Sequence, residues 1–467
     1  MFHHTNQTPA PGALDFSAFP AASFLASLLF LAAASNALQG PCDIYQAAGT
    51  PCVAAHSTTR ALYAAYSGPL YQVRRTSDNQ TKDIGPIGSG GVADIATQDS
   101  FLNGKAGTIS IIYDQSPQKN DLPKSPKCTY LSAGLEADAS QGQIQLNGHT
   151  VHGIYITGAA ANSWVPNGVA NVAYRNNSPK GIAKGNQAES MYMVVDGKRY
   201  SDQCCFDYGN GETSGHDDGN GTMEALYWGT NITWGGKGNG TGPWVAADLE
   251  NGMFKANQGG SGSSSESFPN DKTVSANFAT TVLKGPAADT FGLKAGDAQS
   301  GKLVTMWNGL RPSPNYYPKQ LEGAIFLGTG GDGSPGGTGT FFEGAMTMGN
   351  PPDSIDDKIQ ANIVAAGYGS TTTSILARAG ERTGARLLYS PSTSLAVVEF
   401  DLATAGRTDL EIVDLQGKRV AWIGFGVLAQ GPQRATWDAS RVRTGIYVAR
   451  LLQDGAVAWT GRVLVGR

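Results

Sequence analysis

Trp244-Val245-Ala246-Ala247-Asp248-Leu249-Glu250-Asn251-Gly252-Met253-Phe254 is an apolar segment broken by two carboxylates and closed by Asn-Gly. In an extended chain the side chains alternate faces, so Asp248 and Glu250 are expected to project from one side of a sheet. Like charges held that close raise one another's pKa unless a cation or a substrate hydroxyl intervenes. Such a pair costs stability and suits a sugar-binding cleft. Taken alone, the stretch also fits a solvated strand face that ends in a hairpin turn, which Asn-Gly favours.

Outward from it, turn signals and short strand-like runs dominate from Gly40 to about Gly369. Thr108–Tyr113, Met191–Val195, Met223–Trp228 and Gly323–Gly328 are rich in β-branched or aromatic residues and bounded by Gly, Asp, Asn or Pro. Helical periodicity is sparse, and Asp356–Ala366 is its best candidate. The expected class is all-β, a β-sandwich over residues 38–369. The glycine-rich loops Gly229–Gly242 and Gln258–Ser267 are expected to rim a cleft or to be mobile. A polar linker at 370–383 precedes a tail, 384–467, whose runs Leu395–Leu402, Asp409–Asp414, Ala435–Trp437 and Gly445–Arg450 suit a small immunoglobulin-like sandwich.

Residues 21–34 form a 14-residue apolar run followed by Ser35-Asn36-Ala37. That length is short of a membrane span of about 20 residues and suits an export signal over 1–37. A net charge of -4 with no basic run argues against nucleic acid and against an anionic membrane surface as partners. Of the five cysteines, Cys42 and Cys52 flank a Gly-Thr-Pro turn and suit a small disulfide loop in an oxidising compartment. The adjacent Cys204-Cys205 pair can close on itself, remain as two buried thiols, or bridge to other cysteines. The histidines are scattered, and His149 and His152 lack a third ligand, so no catalytic metal and no cofactor are expected.

The chemistry therefore falls to carboxylates. Glycoside hydrolysis asks for two, one protonated to assist departure and one ionised to attack or to activate water. Asp207, Glu212, Asp217, Asp218, Glu224, Asp248, Glu250 and Asp332 are the candidates. Asp332 lies among glycines that let backbone and ligand approach closely, although an Asp in a turn often serves only its own backbone.

Gly40-Pro-Cys-Asp-Ile-Tyr45, His56-Ser-Thr-Thr-Arg-Ala-Leu-Tyr63, Ser67-Gly-Pro-Leu-Tyr-Gln-Val73, Ile111-Ile-Tyr-Asp-Gln-Ser116, Cys204-Cys-Phe-Asp-Tyr-Gly-Asn210 and Ala247-Asp-Leu-Glu-Asn-Gly252 together resemble glycoside hydrolase family 54, the α-L-arabinofuranosidases. The resemblance runs from about Gly40 to Tyr368. It implies a β-sandwich in which Glu250 is the nucleophile and Asp332 the general acid/base. It places Asp248 and Asn251 on the furanose, Trp234 as an aromatic wall, Met253 beside the sugar and Gly331 as a backbone contact near the acid. Cys204 and Cys205 match a vicinal disulfide that packs on the sugar, while Glu224 has no catalytic counterpart. The implied activity is a secreted retaining exo-enzyme that releases arabinofuranose from arabinoxylan or arabinan, with an arabinosyl-binding lectin-like protein as the alternative. It also implies that Asp332 is the more basic of the two acids and that their carboxyls lie roughly 5–5.5 Å apart.

Two departures stand out. A further disulfide of fungal members is replaced by Leu102 and Gly107, which leaves Cys128 free. The tail is not a β-trefoil. Phe400-Asp-Leu402, Val413-Asp-Leu-Gln-Gly-Lys-Arg419, Trp437-Asp-Ala-Ser440 and Thr444-Gly-Ile-Tyr-Val-Ala-Arg450 resemble the C-terminal sorting domain of type IX secretion cargo. That implies a partner in secretion machinery and a place in the medium or at a bacterial cell surface.

Overall fold

The structure, a computed structural model, describes residues 39–159, 166, 168–257, 266–369, 374–375 and 386–465, the last with interruptions at 391–394, 403, 415–417, 441 and 444. The expected export signal and most of the expected linker lie outside the described residues, as does most of the loop Gln258–Ser267.

Two antiparallel sheets share one core between residues 52 and 348. The first orders its strands Cys52–Ser57, Gly339–Met348, Glu189–Asp196, Phe278–Gly285, Thr290–Asp297 and Val304–Leu310, with Ile154–Ile156 also paired on Gly339–Met348. The second runs Tyr174–Asn176, Ala324–Leu327, Asp207–Gly211, Glu224–Gly229, Trp244–Asp248 and Met253–Phe254. Tyr208 of the second sheet packs on Phe341 of the first at 5.1 Å between ring centroids. Leu226, Trp228, Val245, Ala247, Ile325 and Leu327 add to the same core. Facing sheets with a joint core are a β-sandwich, as expected.

Glu189–Asp196 and Phe278–Gly285 are buried almost throughout, which polar alternation would not produce. The cover on the far side is the helix Asp353–Ala365, close to the expected Asp356–Ala366. Asp353 and Asp356 in its first turn favour the positive end of the helix dipole. Lys284 Nζ donates to both, at 2.7 and 2.9 Å, and Lys294 Nζ reaches Asp356 at 2.8 Å. These bonds pin the helix to the sheet.

Cys42 and Cys52 are joined, with Cα atoms 5.6 Å apart, and tie the helix Pro41–Ala47 to the first strand. Cys128 is a buried free thiol, and Leu102 packs against Gly107 where a second staple was expected to be missing. Beyond the sandwich, one four-stranded sheet holds Arg386–Ser390, Leu395–Leu402, Gly431–Asp438 and, from inside the expected linker, Ser374–Ile375. The other holds Arg419–Leu428, Gly406–Asp414, Gly445–Gln453 and Ala456–Val465. Phe400, Leu410, Ile412, Trp437, Tyr447 and Trp459 form their common core. The sequence does not announce Arg419–Leu428: two glycines and a mostly solvent-facing pattern weaken its strand signal.

Candidate active site

The second sheet sorts its acids by parity. Val245, Ala247 and Leu249 enter the core, so Ala246 and Asp248 point to the outer face. Antiparallel pairing sets Asp248 opposite Ala225 and Ala246 opposite Tyr227, which in turn faces Asp207. Asp207 and Asp248 thus share the outer face. Glu224 shares parity with Leu226 and Trp228 and turns inward, where Arg311 and Lys319 hold its carboxylate. It is structural, and it lies on the other side of the sheet from the pocket.

The strand Trp244–Asp248 stops two residues short of Glu250, so the expected alternation does not place that side chain. Asp248 pairs with Met253, leaving Leu249 to Gly252 to turn, with Leu249 N–H donating to Gly252 O at 3.2 Å. Glu250 and Asn251, the central pair, have φ of 64° and 55°, the left-handed geometry of a type I′ hairpin. The turn is therefore centred one residue before Asn-Gly. Nor is it solvated: Asp248 and Glu250 are 7% and 6% exposed. Glu250 N–H donates to Asp248 Oδ1 at 3.3 Å, and Asn251 Nδ2 donates to Asp217 and Asn220.

Asp332 arrives on the loop after the strand Ala324–Leu327. Its Oδ1 accepts the Ser334 N–H at 2.8 Å and the Ser334 hydroxyl, so the turn role expected of an Asp among glycines is real. Both roles coexist, because the same carboxyl faces the cleft. Cys205 N–H donates to Ser334 O at 3.2 Å and Gly336 N–H to Cys204 O at 2.8 Å, lacing this loop to the Cys204–Cys205 disulfide. The two sulfurs pack with Tyr227, Ala246 and Met253. Trp234, 38% exposed, stands on the Gly229–Gly242 loop, and its carbonyl accepts the Met253 N–H at 3.2 Å.

These pieces meet in one cavity of about 130 Å³. Its walls include every residue the resemblance singles out for the reaction and the sugar: Glu250, Asp332, Asp248, Asn251, Met253, Trp234, Gly331, Cys204 and Cys205. Tyr130, Asp217, Gly252, Gly330 and Ser334 complete them. Tyr130 has no local signal in the sequence; its N–H donates to Asp332 O at 3.2 Å from a segment two hundred residues away. Asp218 and the described histidines, His56, His149, His152 and His216, lie outside the cavity wall. The one group of possible metal donors among the described residues, Cys204, Cys205 and Asp248, has both sulfurs committed to the disulfide and offers no thiolate.

Burial raises the carboxyls throughout. Asp248 is pushed up to about 7, mainly by loss of water and further by Asp332 and Glu212, against a hydrogen bond shared with Asp207. Asp207 is itself raised well above the carboxylate range by burial and by Asp248. Glu250 is raised by burial, then by Glu212, Asp248 and Asp332. Asp332 is also raised by burial, but the Ser334 donors oppose the shift. Three acids crowd Glu250, while Asp332 accepts two hydrogen bonds from Ser334 that favour its charged form.

The family described as "Alpha-L-arabinofuranosidase B, catalytic" matches residues 41–369. A probable alpha-L-arabinofuranosidase B of Aspergillus fumigatus is 48% identical over 352 residues, 74% of this chain and 66% of the relative. The chain thus spans about two thirds of that protein's length. The Alpha-L-arabinofuranosidase B of Emericella nidulans is 42% identical, with 90% and 77% covered. Among solved structures, an arabinofuranosidase complexed with arabinofuranosyl-alpha-1,2-xylobiose superposes with a TM-score of 0.66 at 40% identity, covering 79% of this chain and 73% of that one. A GH54 α-L-arabinofuranosidase soaked with a cyclic sulfate inhibitor matches equally, with a TM-score of 0.66 at 40% identity and the same 79% and 73% covered. The sandwich, the cavity and these relatives agree: over residues 41–369 the chain belongs to the alpha-L-arabinofuranosidase B catalytic family, glycoside hydrolase family 54.

Proposed function

We propose that the protein is a retaining exo-α-L-arabinofuranosidase in which Glu250 attacks the anomeric carbon and Asp332 protonates the departing oxygen. The observation that carries this reading is that two acids from distant segments, Glu250 buried and Asp332 half-buried, line one small cavity together with the disulfide floor and Trp234. A volume of about 130 Å³ lies below the ~300–1,000 Å³ of pockets for drug-sized ligands, which favours a single terminal sugar. Asp332 gives its proton to the leaving oxygen as the Glu250 ester forms. Ionised Asp332 then takes a proton from water, which displaces arabinose from Glu250. Asp248 and Asn251 hold furanose hydroxyls, the Gly331 backbone lies beside the acid, and Met253, Cys204 and Cys205 form the apolar floor.

Arabinose-bearing plant polysaccharides such as arabinoxylan are the proposed substrates. The solved relative's arabinofuranosyl-xylobiose ligand has that chemistry. Export is proposed from the apolar run 21–34 and the Cys42–Cys52 staple. Delivery through the tail rests on the motifs of 384–467 alone.

The test is hydrolysis of 4-nitrophenyl α-L-arabinofuranoside with the anomeric configuration of the first-formed sugar read by NMR. Retention is expected, with a loss of at least 10³-fold in Glu250→Gln. An inverted product overturns the assignment, and so does an active Glu250→Gln.

A further inference from the structure

We propose that Lys255 is a positioning residue for the sugar pocket: its buried ammonium clamps the Gly229–Gly242 loop and so fixes Trp234 against the cavity. The inference rests on the proposed function in taking that cavity as the arabinofuranose site.

Lys255 follows the strand Met253–Phe254 and is fully buried, at 0% exposure. Its Nζ donates to Asn231 O at 3.3 Å and to Gly235 O at 3.5 Å, two carbonyls that bracket Trp234. No backbone N–H reaches either oxygen among the described residues. The ammonium also stands 5.7 Å from the centroid of the Trp244 ring, whose Nε1 donates to Asn239 O at 3.1 Å farther along the same loop.

Trp234 is tied to the same anchors. Its N–H donates to Asn231 Oδ1 at 3.2 Å, and its carbonyl accepts the Met253 N–H at 3.2 Å. Asn231 N–H donates in turn to the Tyr227 hydroxyl at 3.0 Å, and Tyr227 packs on the disulfide floor. Lysine and hairpin arm together hold both flanks of the turn that carries the indole.

A buried ammonium is costly unless its protons find acceptors, and a buried carbonyl is costly without a donor. Here each need answers the other. Burial lowers the Lys255 pKa to about 8, opposed by Asp271 on the strand Ser267–Lys272, so the charged form prevails at pH 6. The loop is rich in glycine, and little in its own backbone resists displacement. A clamp from outside the loop therefore decides where Trp234 stands. Methionine, of similar length, would fill the space and leave both carbonyls without a donor.

The test is steady-state kinetics on 4-nitrophenyl α-L-arabinofuranoside at pH 6 for wild type, Lys255→Met, Trp234→Ala and the double variant, each checked by thermal unfolding. Lys255→Met should raise KM about fivefold or more and change kcat by less than about threefold, since no reacting group is removed. In the Trp234→Ala background, whose own KM is raised, the same substitution should add less than about twofold. Lys255→Gln, whose amide still donates, should lie between wild type and Lys255→Met. A lysine that merely braced the fold would lower the unfolding temperature and leave KM in place, or raise KM by one factor with and without Trp234. Either result overturns the proposal. If Lys255→Met fails to fold, the same cycle run with Lys255→Gln decides, and equal factors in both backgrounds overturn it. An active wild type whose KM does not move in Trp234→Ala also overturns the proposal and leaves the enzyme assignment standing. A wild type without activity strikes the proposed function instead, so the two failures are distinguishable.

Discussion

Asp248 shows what a single carboxyl contributes. Its folded pKa, about 7, stands above the ordinary value near 4 because it is buried beside other acids. The folded state therefore keeps a proton that the unfolded chain has lost. That stabilisation is complete below about pH 4 and fades as pH rises toward 7. Asp248→Asn, which cannot ionise, should raise the unfolding temperature at pH 7.5, by roughly 1–3 kcal/mol of stability, and change little at pH 4. The same variant should lose most arabinofuranosidase activity. Equal unfolding curves for the two proteins at both pH values would remove the argument.

Among elements, the Gly229–Gly242 loop and the Met253–Phe254 hairpin arm depend on close contact. A methyl group at Gly235 would come within 1.7 Å of the Met253 carbonyl, next to the bond that holds Trp234 to the hairpin. Gly235→Ala should push the Trp234 wall outward and raise KM about tenfold, with a smaller change in kcat; steady-state kinetics would decide. The strand and the turn of this element were legible in the sequence from alternating apolar residues and Asn-Gly. The turn's centre was not, because the pairing of Asp248 with Met253 fixes it at Glu250-Asn251. Strand register is a long-range property, and a one-residue difference reassigns every face. Glu212 was visible only as one acid among eight; its place behind Gly331 is set by Arg175, which lies far off in sequence. Tyr130 was hidden for the same reason. The site residues that the family resemblance implies do come together on one cavity wall, an arrangement that periodicity alone could not suggest.

At the scale of the whole molecule, the sandwich keeps its structural ions and its pocket acids on opposite faces of one sheet. Glu224 is sealed at 0% exposure between Arg311 and Lys319, and its removal would leave two buried cations unpaired. Glu224→Ala should cost about 3–5 kcal/mol in denaturant unfolding. The fraction that folds should turn over within about threefold of wild type, as no pocket wall is lost. This separation has a consequence for how such a chain can diversify. Inserting one residue inside Glu224–Gly229 would turn its inward side chains outward and swap core for cleft, so the strands are closed to changes of length. Variation in the reach of the cleft is confined to its hinged surroundings, chiefly the glycine-rich segment that carries Trp234. Relatives that differ in the polymers they accept should differ there in length, while the sheet beneath keeps its count.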